Sequence, residues 1–122
     1  MVESRGPMPD SLILFERWMD TTTWLLTLTA RFPKRLRQSL TTRLENVALE
    51  ILEGVTTAAY RSDRTKTLAG INDGLNRLRV LVRLSHELRL LSDGQYGDAA
   101  QRMDEAGRLL GGWMKVDVSD LR

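Results

Sequence analysis

Apolar residues recur at steps of three and four along almost the whole chain, and few residues interrupt the pattern. This spacing puts apolar side chains on one side of an α-helix, whereas a strand would require alternation. Pro33, the polar stretch at 61–63 and Ser92 divide the chain into helical segments at about 11–31, 34–60, 64–91 and 92–115. Because short connections favour antiparallel neighbours, we predict an all-α fold, an antiparallel up-down-up-down four-helix bundle.

A chain of 122 residues fits one domain. We expect residues 1–10 to form a flexible N-terminus, residues 11–115 the four-helix bundle domain, and residues 116–122 a flexible C-terminal tail. Ser92 followed by Gln95 predicts a capping box at the start of the fourth helix. The chain has no cysteine and no apolar run long enough to span a bilayer, and we expect no signal peptide from its first residues. We therefore expect a cytoplasmic protein without a membrane partner.

Residue sets for catalysis are hard to assemble from this chain. His86 is the only histidine and cysteine is absent, which excludes a Cys-His pair and the usual zinc sites. No phosphate-binding glycine loop follows a predicted strand. On a helical wheel His86 borders the core side of the third helix, so a structural role is favoured. We predict a protein that is not an enzyme, with no catalytic residue, no metal site and no cofactor.

Positive charge is concentrated in the middle of the chain, although the net charge is only +2. Residues 31–91 contain twelve Lys and Arg against six Asp and Glu. Several of these cations gather at the start of the second helix, where acidic residues would be more stabilising. Arginine outnumbers lysine fifteen to three, and its guanidinium pairs bidentately with phosphate. The predicted contacts with an anionic partner, most simply a nucleic acid, are Arg79, Arg83, Arg35, Arg37, Arg43, Lys34 and Arg31. A merely solvated charged face is the alternative.

Two helices carry more apolar residues than one core-facing side requires. In the first helix Trp24 and Leu28 fall away from the predicted core side, which contains Phe15, Trp18, Met19, Thr22, Leu25 and Leu26. Helices on the outside of a bundle normally show solvent a polar back. We predict a subunit interface that includes Trp24, Leu28, Val80, Leu84 and Leu91. The alternative is that these are isolated exposed residues, which are common.

Longer stretches of the sequence resemble one family. The runs FERWMDTTTWLL, RFPKRLRQSLTTRLENVALEILE, LRVLVRLSHELRLLSDGQY and GRLLGGWMK are similar to the accessory variability determinant (Avd) of diversity-generating retroelements. The resemblance covers residues 15–115, and its most specific parts are Phe32-Pro33-Lys34, Arg43 with Glu45-Asn46, and the Gly-Gly-Trp ending. Avd is in turn related to the four-helix bundle proteins encoded in ribosomal-RNA intervening sequences.

The resemblance implies a non-catalytic accessory subunit that forms a basic homo-oligomer, a barrel-shaped homopentamer. It also implies binding to the retroelement reverse transcriptase and to template-repeat RNA during mutagenic, adenine-directed reverse transcription (mutagenic retrohoming). Which of the predicted cations would contact RNA and which the polymerase stays open, as does binding to DNA. The alternative is a bundle of the intervening-sequence type that acts as a structural or protein-interaction module. Gly54, in a Leu-Glu-Gly context, fits that branch equally well.

Overall fold

A computed structural model describes residues 9–120 of the chain, with side chains described for residues 9–117. Over this part it contains no strand and four α-helices: α1 (Asp10–Thr29), α2 (Thr42–Ala59), α3 (Thr65–Glu87) and α4 (Asp93–Asp120). α1 packs against α2 and α4, and α3 packs against the same two helices. The predicted all-helical, four-helix structure is therefore confirmed. No helix in the described part has an apolar stretch sufficient to cross a membrane.

The core side of α1 contains Trp18, Thr22 and Leu25 as predicted, but Phe15 and Met19 lie at its edge. Leu14, Trp18 and Leu25 are buried, whereas Met19 is 40% exposed and Phe15 is only partly buried. The fully buried Trp18 donates its indole N–H to the carbonyl of Ala48 at 3.0 Å, which joins α1 to α2. A buried indole requires such a partner, and this requirement places Trp18 rather than Met19 at the centre of the helix contact.

α2 and α3 approach each other closely at two glycines. A Cβ atom added to Gly54 would lie 3.0 Å from the Ile71 side chain, and one added to Gly74 would lie 3.0 Å from the Ile51 side chain. Each glycine thus accommodates an isoleucine of the opposite helix. Gly54 marks a close contact between helices, where small residues let two backbones come together.

α3 ends at Glu87, four residues before the predicted end. Arg89 has a φ of 62°, the left-handed conformation that usually ends a helix at a glycine. The N–H of Leu90 bonds to the Ser85 carbonyl and that of Arg89 to the His86 carbonyl, which is the Schellman pattern. The prediction of a helix through residue 91 was wrong, because an arginine takes the position at which glycine would have signalled the end.

α4 begins as predicted. The Gln95 side chain accepts a hydrogen bond from the Ser92 N–H at 2.9 Å, and the Ser92 hydroxyl accepts one from the Gln95 N–H at 3.1 Å. This is the reciprocal capping box. The helix continues to Asp120, so residues 116–120, placed in a tail by the sequence, have helical backbone. Residues 1–8 and 121–122 of the predicted flexible termini lie outside the described residues, and the domain boundaries stay a prediction.

Candidate nucleic-acid interface

The connection between α1 and α2 carries four cations on an irregular backbone. The chain passes through a 3₁₀ turn (Lys34–Leu36) and a π-helical turn (Arg37–Thr41) before α2 begins. Phe32 and Leu40 are buried and fix this segment to the core. The Thr42 hydroxyl also donates to the Arg37 carbonyl. π-helical turns are rare and often occur at functional sites. We call Arg31, Lys34, Arg35 and Arg37 the cationic connection.

All four cations of the cationic connection are exposed. Within residues 9–117 none of them makes an ion pair with a carboxylate. The nearest acidic residue along the chain is Glu45, and its carboxylate accepts a hydrogen bond from the Thr29 hydroxyl at 2.5 Å. The second helical segment begins at Lys34 as predicted, but its first turns are 3₁₀ and π-helical, and the regular α-helix starts only at Thr42. The connection that contains these turns thus carries four cations within seven residues, and none of them pairs with a carboxylate in the described part.

Arg79 and Arg83, which the sequence analysis places together, have different surroundings. The Arg79 guanidinium lies 3.5 Å from Asp104 and donates to the Asn76 side chain at 3.1 Å. It also donates to the Met103 carbonyl at 3.3 Å. The contacts with Asp104 and Met103 join α3 to α4. Arg83, one turn later, is exposed and has no ion pair in the described part. Arg79 is thus engaged in packing, and Arg83 is available.

Four other arginines of the bundle pair with carboxylates. Arg17 pairs with Glu105 at 3.2 Å and Arg102 pairs with Asp98 at 3.0 Å. Further, looser pairs are Arg64 with Asp117 at 3.7 Å and Arg77 with Glu50 at 3.9 Å. Arg43, also predicted as a contact, is exposed and lines a groove between α2 and α3 together with Arg77 and Val80. The predicted cations therefore do not form one wall but occupy separate regions.

The five residues predicted for a subunit interface also differ in their exposure and surroundings. Val80 and Leu84 are 66% and 44% exposed. Trp24 and Leu28 are partly buried against the core, and the Trp24 ring lies 4.4 Å from the Arg102 guanidinium. Leu91 is only 5% exposed and belongs to the core of the chain itself. The helical wheel misplaced Leu91 because α3 has already ended at that position.

Sequence reasoning missed an exposed apolar surface between α1 and α2. Leu12, Met19, Leu49 and Tyr60 are all large, hydrophobic and at least 37% exposed. Phe15 and Met19 were predicted on the core side of α1, and Leu12 was not considered. With Trp18 at the centre of the core side, Phe15 and Met19 lie toward the edge of the helix.

His86 fastens the turn between α3 and α4. Its Nε2 lies 2.8 Å from an Asp93 carboxylate oxygen, and its ring stacks on Tyr96 with centroids 4.3 Å apart and planes 4° from parallel. This is the structural role that the sequence favoured. Among the described residues no group of three acidic, histidine or cysteine side chains could hold a metal ion.

Comparison with known proteins gives a family. No curated protein matches the chain. A family model described as bAvd-like matches residues 12–116. This range contains the cationic connection, Arg79, Arg83 and the capping box of α4. The chain therefore belongs to the bAvd-like family, that of the accessory variability determinants.

Proposed function

We propose that this protein is a non-catalytic accessory subunit of a diversity-generating retroelement, and that it binds nucleic acid through the cationic connection. Family membership supports the accessory role. The observation that carries the binding site is the set of four exposed cations without carboxylate partners in the described part. Guanidinium and ammonium groups that lack internal partners keep their full capacity to pair with phosphates.

The partners in this proposal are template-repeat RNA and the retroelement reverse transcriptase, in the cytoplasm. RNA is the natural partner for the cationic connection, because phosphate contacts require charge and reach but no sequence readout. Arg83 extends the surface as a second, separate contact, and Arg43 is a third. Arg79 serves mainly to hold α3 on α4. The mutagenic chemistry itself belongs to the polymerase.

The proposal includes a homo-oligomer, a pentamer by resemblance. Repeating the cationic connection around a ring would let several weak phosphate contacts form at once, which would raise the overall affinity for the nucleic acid. The exposed Val80 and Leu84, with the half-buried Trp24 and Leu28, supply apolar surface for subunit contacts. A ring requires two different surfaces on each subunit, and Trp24 beside α4 and Val80 beside α2 provide them. Light scattering should give about 70 kDa for five chains of 13.9 kDa, and a monomer at micromolar concentration would contradict this part.

We also propose that the four helices alternate in direction, up-down-up-down. Contacts between helix ends support this arrangement. Thr29, at the end of α1, bonds to Glu45, near the start of α2. Thr65, at the start of α3, bonds to Asp117, near the end of α4. The segments that connect consecutive helices are also short, and short connections join antiparallel neighbours in helical bundles.

The test is binding of a short fluorescein-labelled single-stranded RNA, followed by fluorescence anisotropy between about 50 and 200 mM salt. We expect affinity to fall steeply with salt. The double variant Arg35→Glu/Arg37→Glu should bind at least about tenfold more weakly and lose about 1.4 from the slope of log affinity against log salt.

The matched control is Arg61→Glu/Arg108→Glu, which makes the same change of net charge. Both control arginines are exposed and without ion pairs in the described part, but they lie outside the cationic connection. We expect the control to lose less than about threefold in affinity. Equal losses in the two variants would contradict the site. Salt-independent binding, or none, would favour the alternative, a protein-interaction module of the intervening-sequence type, which the apolar surface between α1 and α2 also suits.

A further inference from the structure

The surface between α1 and α2 is apolar over a length of several helical turns. At one end, Leu12, Phe15, Val55 and Tyr60 line a groove of about 310 Å³. Tyr60 is 88% exposed there. Single exposed hydrophobic residues are ordinary, but a contiguous group marks a site of interaction. We call Leu12, Phe15, Met19, Leu49 and Tyr60, with the residues between them, the α1–α2 face.

The α1–α2 face follows both helices. On α1, Leu12, Phe15 and Met19 are spaced by three and four residues and therefore lie on one side. On α2, Leu49 and Thr56 share a side in the same way. The hydroxyl of Thr56 is already bonded to the Leu52 carbonyl at 3.1 Å. Thr23, one turn beyond Met19, bonds to the Met19 carbonyl at 2.9 Å. Covering these threonines would therefore leave no unsatisfied hydroxyl.

The charge on the α1–α2 face is opposite to that of the cationic connection. The one cation of α1, Arg17, pairs with Glu105 of α4, and the one cation of α2, Arg43, lines the groove toward α3. Glu16 lies between Leu12 and Met19, and Glu53 follows Leu49 by one turn. Neither carboxylate has an ion pair within residues 9–117. A phosphate backbone would be repelled here, and a basic protein surface would be attracted.

We propose that the α1–α2 face binds a helical segment of a partner protein whose apolar side is flanked by lysine or arginine. A groove between two packed helices fits a third helix laid along it, with apolar side chains entering at steps of three and four residues. Glu16 and Glu53 pair with the basic flanks and fix the orientation of the segment. This inference goes beyond the nucleic-acid site and does not depend on it, because it uses different residues and the opposite charge.

The test uses two synthetic amphipathic peptides with the same leucine side, one flanked by lysines and one by glutamates. Binding to the full chain is measured by fluorescence anisotropy of the labelled peptides. We expect the lysine peptide to bind and the glutamate peptide to bind at least about tenfold more weakly. In the variant Glu16→Lys/Glu53→Lys this preference should reverse, since the charges at the edges of the groove are exchanged.

The matched control is Asp63→Lys/Glu87→Lys, which changes two exposed acidic residues outside the α1–α2 face by the same charge. It should keep the preference for the lysine peptide. A second variant, Met19→Ser, should weaken both peptides because it removes apolar contact without changing charge. Circular dichroism checks that each variant remains helical.

Three outcomes would overturn the inference: no binding of the lysine peptide, the same reversal in the control variant, or dissociation of the oligomer by Glu16→Lys/Glu53→Lys. The last would assign the α1–α2 face to a second copy of this chain. RNA binding by the same proteins separates this inference from the proposed function. If the lysine peptide binds but RNA does not, the result contradicts the proposed nucleic-acid site and still supports peptide binding at the α1–α2 face.

Discussion

The cationic connection and the arginines along the sides of the bundle carry the same charge in different surroundings. Along the sides, two arginines lie within 3.5 Å of a carboxylate on a neighbouring helix, Arg17 and Arg79. Arg102 lies 3.0 Å from Asp98, one turn away on the same helix. In the connection, four cations have no such partner in the described part. The density of arginine in a sequence therefore does not distinguish cations engaged within the bundle from cations without an internal partner. We place the proposed binding surface where several cations lie close together without internal carboxylates, a condition that single unpaired arginines such as Arg61 and Arg108 do not meet.

The largest effect should come from neutralising the whole connection. We expect Arg31→Gln/Lys34→Gln/Arg35→Gln/Arg37→Gln to lower RNA affinity by about 100-fold at low salt, because four phosphate contacts are removed. Fluorescence anisotropy measures the loss. The control variant Arg17→Gln/Arg102→Gln, which changes paired side arginines, should lose less than about threefold. A comparable loss there would remove the distinction between the two regions.

An intermediate effect should separate Arg79 from Arg83. Arg79→Glu places a carboxylate beside Asp104 and removes the side-chain hydrogen bond to the Met103 carbonyl. We expect the free energy of unfolding in urea to fall by about 1–2 kcal/mol at fixed protein concentration. Arg83→Glu should leave the urea midpoint nearly unchanged and weaken RNA binding severalfold. The assignment is reversed if Arg83 proves to be the one required for stability.

The smallest effect should show the cost of the unpaired charges. Lys34 begins the helical turns that lead into α2, where the backbone N–H groups already carry partial positive charge. Lys34→Glu should therefore raise the free energy of unfolding by about 0.5 kcal/mol while it weakens RNA binding. Urea unfolding with parallel anisotropy measures both. A variant that loses stability as well as affinity would indicate that Lys34 has a structural partner.

Sequence periodicity was sufficient for the number and type of the elements, because apolar spacing and the capping box at Ser92 are local signals. It was insufficient where geometry depends on distant residues. The contact of Arg79 with Asp104 joins residues that are 25 positions apart in sequence, so no local pattern reports it. The Schellman turn was hidden because Arg89 occupies the left-handed position without a glycine.

The candidate site was predictable only in part, for the same reason. The cations of the connection are adjacent in sequence, so their grouping was visible before the fold. Their lack of partners was not visible, and neither were the 3₁₀ and π-helical turns that carry them. The α1–α2 face was missed because Phe15 and Met19 were predicted on the core side of α1, whereas they lie at its edge.

The two isoleucine–glycine contacts between α2 and α3 have a mechanical consequence. Ile51 meets Gly74 and Ile71 meets Gly54, so sliding one helix along the other would drive both isoleucines against larger neighbours at once. Closely packed helix interfaces of this kind adopt discrete arrangements and do not deform continuously. α2 and α3 therefore behave as one rigid unit. A partner that binds the start of α2 therefore also fixes the orientation of α3. The direction in which Arg83 projects from α3 is fixed with it.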